Sequence, residues 1–243
     1  MSEARFEFLL LLGRPACGKS ELIDYMLHVR PALRAQRYHL GDLRIVDDFA
    51  FLWQRFEEDD ARVALGLPRL YSQPADTGYR VHGDLVWDAL IDDINSALTR
   101  SLSQPPDPDL TTVIEFSRGR TVGYGRALDR LDKRLPARAA ILYLEVSFEE
   151  SWRRNLARYD AARRSGILTH SVPRSEMERT YLTDDWSPLT GGRREGHLRV
   201  GAVDVPFVTM NNEPESTDAA VLGARYGAAL DSLWRLAGPP GNA

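Results

Sequence analysis

The chain has 243 residues, of which 43% are hydrophobic and 27% are charged, and its formal net charge is −4. This composition is typical of a globular protein with a sizeable core, and it argues against a disordered chain or a protein that coats nucleic acid. Cys17 is the single cysteine, so no intramolecular disulfide is possible, and the apolar run at 6–12 is too short to span a bilayer. We expect a soluble, cytoplasmic protein with one domain over residues 1–238 and a loose tail over 239–243.

The first half of the chain alternates short apolar runs with helical patterns. Residues 6–12 are typical of a buried strand, and the apolar spacing over 19–29 predicts a helix. A second strand is predicted at 43–46, and an aromatic-rich stretch at 49–56 has a helical pattern. Proline, glycine and aspartate then accumulate, which predicts an extended loop over 66–83.

The second half continues the alternation. Amphipathic spacing over 84–102 predicts a long helix, which the proline-rich segment 103–109 ends. The remaining pattern predicts, in order, a strand at 112–116, a helix at 121–135, a strand at 139–146, a basic helix at 147–165, an irregular stretch at 166–196, a strand at 205–210 and a helix at 217–236. Strands that alternate with helices build a parallel sheet through right-handed crossovers. We therefore expect an α/β fold with about five parallel strands and helices on both faces, which binds ligands beyond the carboxyl ends of the strands.

The most specific motif lies between the first predicted strand and the first predicted helix. It consists of Gly13, Arg14, Pro15, Ala16, Cys17, Gly18, Lys19 and Ser20, and it matches G-x-x-x-x-G-K-[ST]. In such a loop the N–H groups and the helix N-terminus surround phosphates, the lysine contacts the β and γ phosphates, and the hydroxyl binds Mg²⁺. The motif predicts a nucleoside triphosphate, ATP or GTP, bound with Mg²⁺ and with Lys19 exposed at the loop. The alternative is an ordinary glycine-rich turn, and Cys17 receives no catalytic role because no base or histidine is adjacent.

With this loop, the order of its elements and the placement of its acidic and basic residues, the chain resembles P-loop kinases of the nucleoside/nucleotide and shikimate-kinase-like group. The resemblance implies a three-layer P-loop NTPase fold with a helical lid over about 151–196. It also implies ATP-dependent transfer of the γ-phosphoryl group to a hydroxyl or phosphate of a small-molecule acceptor. The phosphate loop is the highly specific part of the resemblance.

Acidic residues lie at two of the predicted strands: Asp47 and Asp48 follow the strand at 43–46, and Glu115 lies within the strand at 112–116. The resemblance implies that Asp47 or Asp48 contacts the acceptor hydroxyl or the metal and accepts the proton of the hydroxyl. It further implies that Glu115 holds a metal-bound water or the acceptor, and that Arg118 binds an anionic substrate through its guanidinium. The structural alternatives are a helix cap formed by the two aspartates, an ion pair between Glu115 and Arg118, and an arginine exposed at a turn.

The basic helix carries Arg153, Arg154, Arg158, Arg163 and Arg164. Arg154 and Arg158 are four residues apart and share a helix face. In the resembling kinases such arginines close on the phosphates, so we take these two as catalytic candidates, against the alternative of a solvated helix face. Asn211 and Asn212 follow the last strand, where the resemblance implies contact with the nucleobase; the alternative is a strand-to-helix turn.

Three functions are compatible with these features, and a small-molecule phosphotransferase ranks first. An NTPase or nucleotide switch that acts on a macromolecular partner ranks second, because the sequence has no guanine-reading N-K-x-D segment. A nucleic-acid end kinase ranks third, because the net charge is acidic. Candidate residues for the acceptor site are Trp53, Phe56, Asp60, Tyr71, Asp76 and Tyr79. The acceptor, the choice between ATP and GTP, the role of 166–196 and the oligomeric state stay open at this stage.

Overall fold

A computed structural model describes residues 5–75, 78–158 and 171–238 of the chain. The strands are β1 (Phe8–Gly13), β2 (Asp42–Asp47), β3 (Ser72–Ala75), β4 (Gly78–Val81), β5 (Leu110–Phe116), β6 (Ala139–Glu145), β7 (Glu195–Val200) and β8 (Val203–Asn211). The helices are α1 (Lys19–His28), α2 (Pro31–Tyr38), α3 (Asp48–Ala64), α4 (Asp84–Leu102), α5 (Tyr124–Arg130), α6 (Phe148–Arg158), α7 (Arg174–Tyr181), α8 (Trp186–Thr190) and α9 (Ala219–Ala237), and a 3-10 turn spans Pro136–Arg138.

Six strands form one sheet in the order β2-β5-β1-β6-β8-β7. The first five in this order are mutually parallel, and β7 pairs antiparallel with β8 at the edge. The predicted five parallel strands are therefore confirmed, and β7 is an addition that the sequence pattern did not reveal. In the centre of the sheet, Leu11 of β1 pairs with Glu115 of β5 and Leu142 of β6.

The central strand β1 is buried along its whole length because helices cover both faces of the sheet. Alternate residues of β1 point to opposite faces, so Leu9 and Leu11 pack with α1, α2 and α9, while Leu10 and Leu12 pack with α4 and α5. This arrangement confirms the predicted three layers. None of the described helices has the length and apolar character needed to cross a membrane.

A third apolar cluster lies outside these two cores and joins α3, β4, α4 and α7. Its buried members include Leu52, Phe56, Val81, Trp87 and Tyr181. The cluster becomes important below because it also forms part of the wall of a large cavity.

Several element boundaries differ from the predictions. The helix predicted over 19–29 ends at His28, and a separate helix that the sequence analysis did not predict, α2, begins at Pro31, where the first turn of a helix does not need the N–H that proline lacks. The predicted loop over 66–83 contains the β3–β4 hairpin, which Asp59 of α3 holds by accepting hydrogen bonds from Leu70 N and Ser72 N. The predicted helix over 121–135 is shorter, since α5 ends at Arg130.

The basic helix and the polar segment after it are described in part. Helix α6 ends at Arg158 in the described residues, and α7, α8 and the start of β7 occupy much of the stretch predicted to be irregular. Arg163 and Arg164 lie outside the described residues, as does the tail over 239–243. The lid over 151–196 therefore stays a prediction.

Candidate active site

A cavity of about 700 Å³ opens at the carboxyl ends of β1, β2 and β5. Ligands of parallel α/β sheets bind at this edge, so the location is the one expected from the fold. Of the predicted site residues, the cavity is lined by Pro15, Ala16, Lys19, Ser20, Asp47, Asp48, Glu115 and Arg158. The phosphate loop and the acids at the ends of β2 and β5 thus face one cavity.

The phosphate loop depends on its two glycines. Gly13 has φ 144° and Gly18 has φ 101°, which are backbone conformations that residues with a side chain rarely adopt. A Cβ on Gly13 would lie 2.6 Å from Cys17 Sγ, and one on Gly18 would lie 2.3 Å from Asn212 Nδ2. Both fixed glycines of the motif are therefore required by close packing behind the loop.

Lys19 is buried, with 5% of its surface exposed, so the expectation of an exposed lysine was wrong. Its Nζ donates hydrogen bonds to Gly13 O and Arg14 O, both at 3.1 Å, and to Ser117 Oγ at 2.8 Å. It also lies 3.9 Å from Glu115 Oε1. The loop carbonyls and the residue after β5 enclose the ammonium group, which places its charge in the cavity wall between the loop and the acids.

Asp47 and Glu115 are paired residues of the neighbouring strands β2 and β5. Burial, together with the negative charges of Glu115 and Asp48, raises the pKa of Asp47 to about 7. Burial also raises the pKa of Glu115, and the Lys19 ammonium opposes that rise. Asp47 caps α3 by accepting a hydrogen bond from Phe49 N at 2.9 Å, so the cap alternative holds for this residue, which also lines the cavity.

Asp48 is committed to a buried ion pair with Arg118. Arg118 Nη1 donates to Asp48 Oδ2 at 2.5 Å, and the guanidinium also donates to the carbonyls of Ser117 and Trp87. Only 1% of the Arg118 side chain and 8% of the Asp48 side chain are exposed. Arg118 is not among the described residues that line the cavity, so the guanidinium predicted to clamp a substrate supports the wall from behind. Arg118 is therefore not an exposed turn arginine, and its ion pair is with Asp48 instead of Glu115.

The two candidate arginines of α6 have different surroundings. Arg158 is exposed and lines the cavity, where its charge opposes the rise in the pKa of Glu115. Arg154 is buried; it donates to Glu150 Oε1 at 2.7 Å and to Asn212 O at 2.8 Å, and it does not belong to the described cavity lining. The geometry favours Arg158 over Arg154 as the arginine that faces a ligand.

Asn211 and Asn212 lie behind the phosphate loop. Asn212 Nδ2 donates to Cys17 O at 2.8 Å, and its Oδ1 accepts from Arg225. Asn211 Oδ1 accepts from Glu213 N at 3.0 Å, which forms the turn after β8. Neither asparagine lines the cavity in the described part of the chain, and their contact with a nucleobase stays a prediction.

Arg14 joins the phosphate loop to the segment after α7. Its Nε donates to Tyr181 O at 3.0 Å, its Nη1 donates to Val146 O at 2.8 Å, and its Nη2 lies 3.2 Å from Asp184 Oδ2. The buried thiol of Cys17 lies behind the same loop, and burial raises its pKa. The absence of a catalytic role for Cys17 stays a prediction.

The rest of the lining was only partly anticipated. Of the aromatic and acidic candidates, Phe56 and Tyr79 line the cavity, whereas Asp76 lies outside the described residues. The additional lining residues include Ser117, Phe49, Leu52, Val81, Trp87, Asn155, Val172, Glu176 and Tyr181. Phe49, Leu52 and Phe56 follow helical spacing, so the pattern of α3 contained a signal for this wall. Glu176 and Tyr181 come from a segment without a clear pattern.

The donor groups at the cavity suit Mg²⁺ bound together with phosphates. The described residues hold no group of three or more His, Cys, Asp and Glu that could bind a metal by themselves. Mg²⁺ at phosphate sites keeps several waters and needs only one or two protein ligands, so such a group is not required. The exposed Ser20 at the start of α1 and Glu115 of β5 both line the cavity and carry oxygen ligands that Mg²⁺ accepts, and their binding of Mg²⁺ stays a prediction.

No protein-family model matches the chain, and no curated protein matches it in sequence. Among solved structures, Kti12 from Chaetomium thermophilum in complex with ADP-AlF3 aligns with a TM-score of 0.52 and 14% identity, over 95% of this chain and 99% of that chain. A gluconokinase from Sinorhizobium meliloti 1021 aligns with a TM-score of 0.48 and 16% identity, over 96% and 95% of the two chains. A sugar kinase from Janibacter sp. HTCC2649 aligns with a TM-score of 0.45 and 15% identity, over 94% and 95%. The chain therefore shares its α/β fold, with a mostly parallel central sheet, with the Kti12 structure.

Proposed function

We propose that this chain is a phosphotransferase that moves the γ-phosphoryl group of a nucleoside triphosphate, ATP or GTP, to a hydroxyl group of a small molecule. One observation carries the proposal: a single cavity joins the phosphate loop, a carboxyl group with a pKa of about 7, and an apolar wall. An NTPase that acts on a macromolecule needs the loop but does not need an enclosed wall beside the acid. The cavity volume of about 700 Å³ lies within the usual range for small-molecule sites, roughly 300–1,000 Å³.

Asp47, and not its neighbour Asp48, is the proposed proton acceptor. Both aspartates line the cavity, but Asp48 is held by Arg118, whereas the surroundings of Asp47 raise its pKa to about 7, near the range in which a general base is most effective. In the proposed step the acceptor oxygen bonds to the γ-phosphorus as the bond to the β–γ bridging oxygen breaks. The hydroxyl proton passes to Asp47, and the nucleoside diphosphate leaves.

The cations of the cavity offset the charge of the transferring group. Lys19 lies between the loop carbonyls and Glu115, and Arg158 lines the same cavity. Phosphoryl transfer depends mainly on positioning and on such charge stabilisation. Mg²⁺, held by Ser20 with Glu115 nearby, would neutralise phosphate charge when the nucleotide is bound.

The test is a phosphoryl-transfer assay with radiolabelled ATP or GTP and a broad panel of alcohols, with product detection independent of nucleotide hydrolysis. We expect transfer that requires an acceptor, and we expect Asp47→Asn to lower kcat by about 10²- to 10⁴-fold with little effect on nucleotide affinity. Asp24→Asn is the matched control, because Asp24 also lines the cavity but lies on α1, away from the strand ends. Rapid hydrolysis without any acceptor, unaffected by Asp47→Asn, would contradict the proposal and favour the NTPase alternative.

A further inference from the structure

One part of the cavity lining comes from the third apolar cluster, and it differs in character from the phosphate loop. Its side chains are Leu52 and Phe56 of α3, Tyr79 and Val81 of β4, Trp87 of α4 and Tyr181 of α7. We call these six residues the apolar wall. Four of the six are aromatic, so the surface offers flat faces and little hydrogen bonding, which suits an apolar or aromatic ligand.

The apolar wall is held in place before any ligand arrives. The rings of Phe56 and Tyr79 stack with centroids 4.6 Å apart, and Tyr79 Oη donates to Asp60 Oδ2 at 2.5 Å. Arg69 lies over the Tyr79 ring and pairs with Asp60 at 2.7 Å. A fixed surface loses little side-chain entropy on binding, so it acts as a preformed binding site.

Three arginines near the apolar wall are already paired with carboxylates. Arg118 pairs with Asp48, and Arg179 donates to both carboxylate oxygens of Glu176 at 2.8 and 3.0 Å. Neither arginine belongs to the described cavity lining. Arg69 is committed to Asp60 in the same way. These three guanidinium groups therefore bind carboxylates of the chain itself.

The described cavity lining contains two cations, and both belong to the phosphate end. Lys19 donates to the carbonyls of the loop, and the charge of Arg158 acts on Cys17 and Glu115. The carboxyl groups of the same lining are more numerous: Asp48 and Glu176 are paired with Arg118 and Arg179, and Glu21, Asp24, Asp47 and Glu115 remain. An acceptor with its own carboxylate or phosphate would lie against apolar surface near these acids, and an unpaired buried anion is strongly disfavoured.

Resting on the phosphotransferase function proposed above, we infer that the acceptor is an alcohol with an apolar or aromatic body and no carboxylate or phosphate group. The body lies on the apolar wall, and the hydroxyl reaches Asp47. This class excludes sugar acids, sugar phosphates and nucleoside monophosphates as acceptors. It also replaces the expectation of an anionic acceptor bound by Arg118.

The experiment compares probes of one shape that differ in charge: 4-methylbenzyl alcohol, 4-(aminomethyl)benzyl alcohol and 4-(hydroxymethyl)benzoate, with gluconate as a sugar acid. Binding to the full chain is measured by ligand-observed NMR with and without ADP and Mg²⁺, and phosphoryl transfer is measured separately. We expect the neutral alcohol to bind at least about tenfold more tightly than the benzoate, a difference of about 1.4 kcal/mol.

Two variants connect the preference to the cavity. Val172→Lys adds a cation at a lining residue that packs against the third apolar cluster, and Leu182→Lys adds the same cation at a residue that is 51% exposed and outside the described lining. We expect Val172→Lys to weaken binding of the neutral alcohol and to strengthen binding of the benzoate, each by about tenfold. Leu182→Lys should leave both affinities unchanged.

Equal or tighter binding of the benzoate or gluconate by the wild-type chain would overturn the inference, as would a failure of all four probes to bind. An equal effect of the two lysine variants would also overturn it, because the preference would then not arise in the cavity. Preferred binding of the neutral alcohol without any phosphoryl transfer would support the ligand class and overturn the phosphotransferase function. The two proposals therefore fail through different results.

Discussion

The buried Asp48–Arg118 pair predicts a large loss of stability when the arginine is removed. Arg118→Ala would leave the Asp48 carboxylate, 8% exposed, without its partner and would free the carbonyls of Ser117 and Trp87 that the guanidinium satisfies. Breaking a buried ion pair on one side typically costs about 3–5 kcal/mol, and burial on both sides allows no discount for solvent screening. For a chain of this length, 1 kcal/mol shifts the melting temperature by roughly 2–4 °C, so we expect a decrease of about 6–20 °C.

The assay is urea denaturation followed by fluorescence and circular dichroism, at pH 8 and at pH 5. Burial already raises the pKa of Asp48, and the positive charge of Arg118 opposes that rise. Without Arg118 the carboxyl group takes up a proton more readily, so the loss of stability should be smaller at pH 5. Adding Asp48→Asn to Arg118→Ala should restore part of the lost stability, because no buried charge then remains.

The matched control is Arg199→Ala, which breaks an ion pair with Asp204 that is exposed on both sides, at 61% and 62%. Exposed pairs contribute about 0–1 kcal/mol, so this variant should unfold almost as the wild type does. The reasoning is refuted if Arg118→Ala unfolds at the wild-type urea concentration and instead raises the KM for an acceptor. That result would return Arg118 to the substrate-binding role expected from sequence.

Four further predictions concern the cavity and its phosphate loop. Lys19→Met should lower phosphoryl transfer by at least about 100-fold, since it removes a charge at the transferring group; unchanged turnover in steady-state assays would contradict the loop assignment. Transfer should fall as the pH drops below about 7, because Asp47 must be ionised to accept a proton, and a pH–rate profile without this limb would exclude Asp47. Because the pKa of Asp47 is higher in the folded chain than in the unfolded chain, the free energy of unfolding should decrease as the pH rises from 3.8 to about 7. Asp47→Asn should remove the contribution of this residue to that decrease in urea titrations. Gly18→Ala should abolish nucleotide binding in calorimetry, because its Cβ would lie 2.3 Å from Asn212 Nδ2.

The fold and the phosphate loop were predictable because their signals are local. An apolar run, a glycine-rich loop and a helical pattern follow one another within residues 6–29, and each can be recognised from neighbouring residues alone. Asp47 and Glu115 were also predictable as a pair, since both end parallel strands of one sheet. The carboxyl ends of parallel strands lie at the same edge of the sheet, whatever the length and structure of the segments that connect the strands.

The partners of charged side chains were not predictable, since they depend on contacts between distant segments. Arg118 and Asp48 are 70 residues apart in the chain, and Arg154 and Asn212 are 58 apart. No local pattern distinguishes an arginine that will be buried against such a partner from one that will face a ligand. The burial of Lys19 has the same origin, because Ser117 reaches it across 98 residues.

The phosphate-loop motif accepts any residue at the position of Arg14, but in this chain the Arg14 side chain connects the loop to other segments. Its guanidinium holds the carbonyls of Tyr181 and Val146 and contacts Asp184, and Tyr181 is part of the apolar wall. A loop that kept the fixed residues of the motif but lacked Arg14 would therefore lose these contacts between the loop and the apolar wall. A residue at a variable position of the motif therefore makes contacts that are specific to this chain.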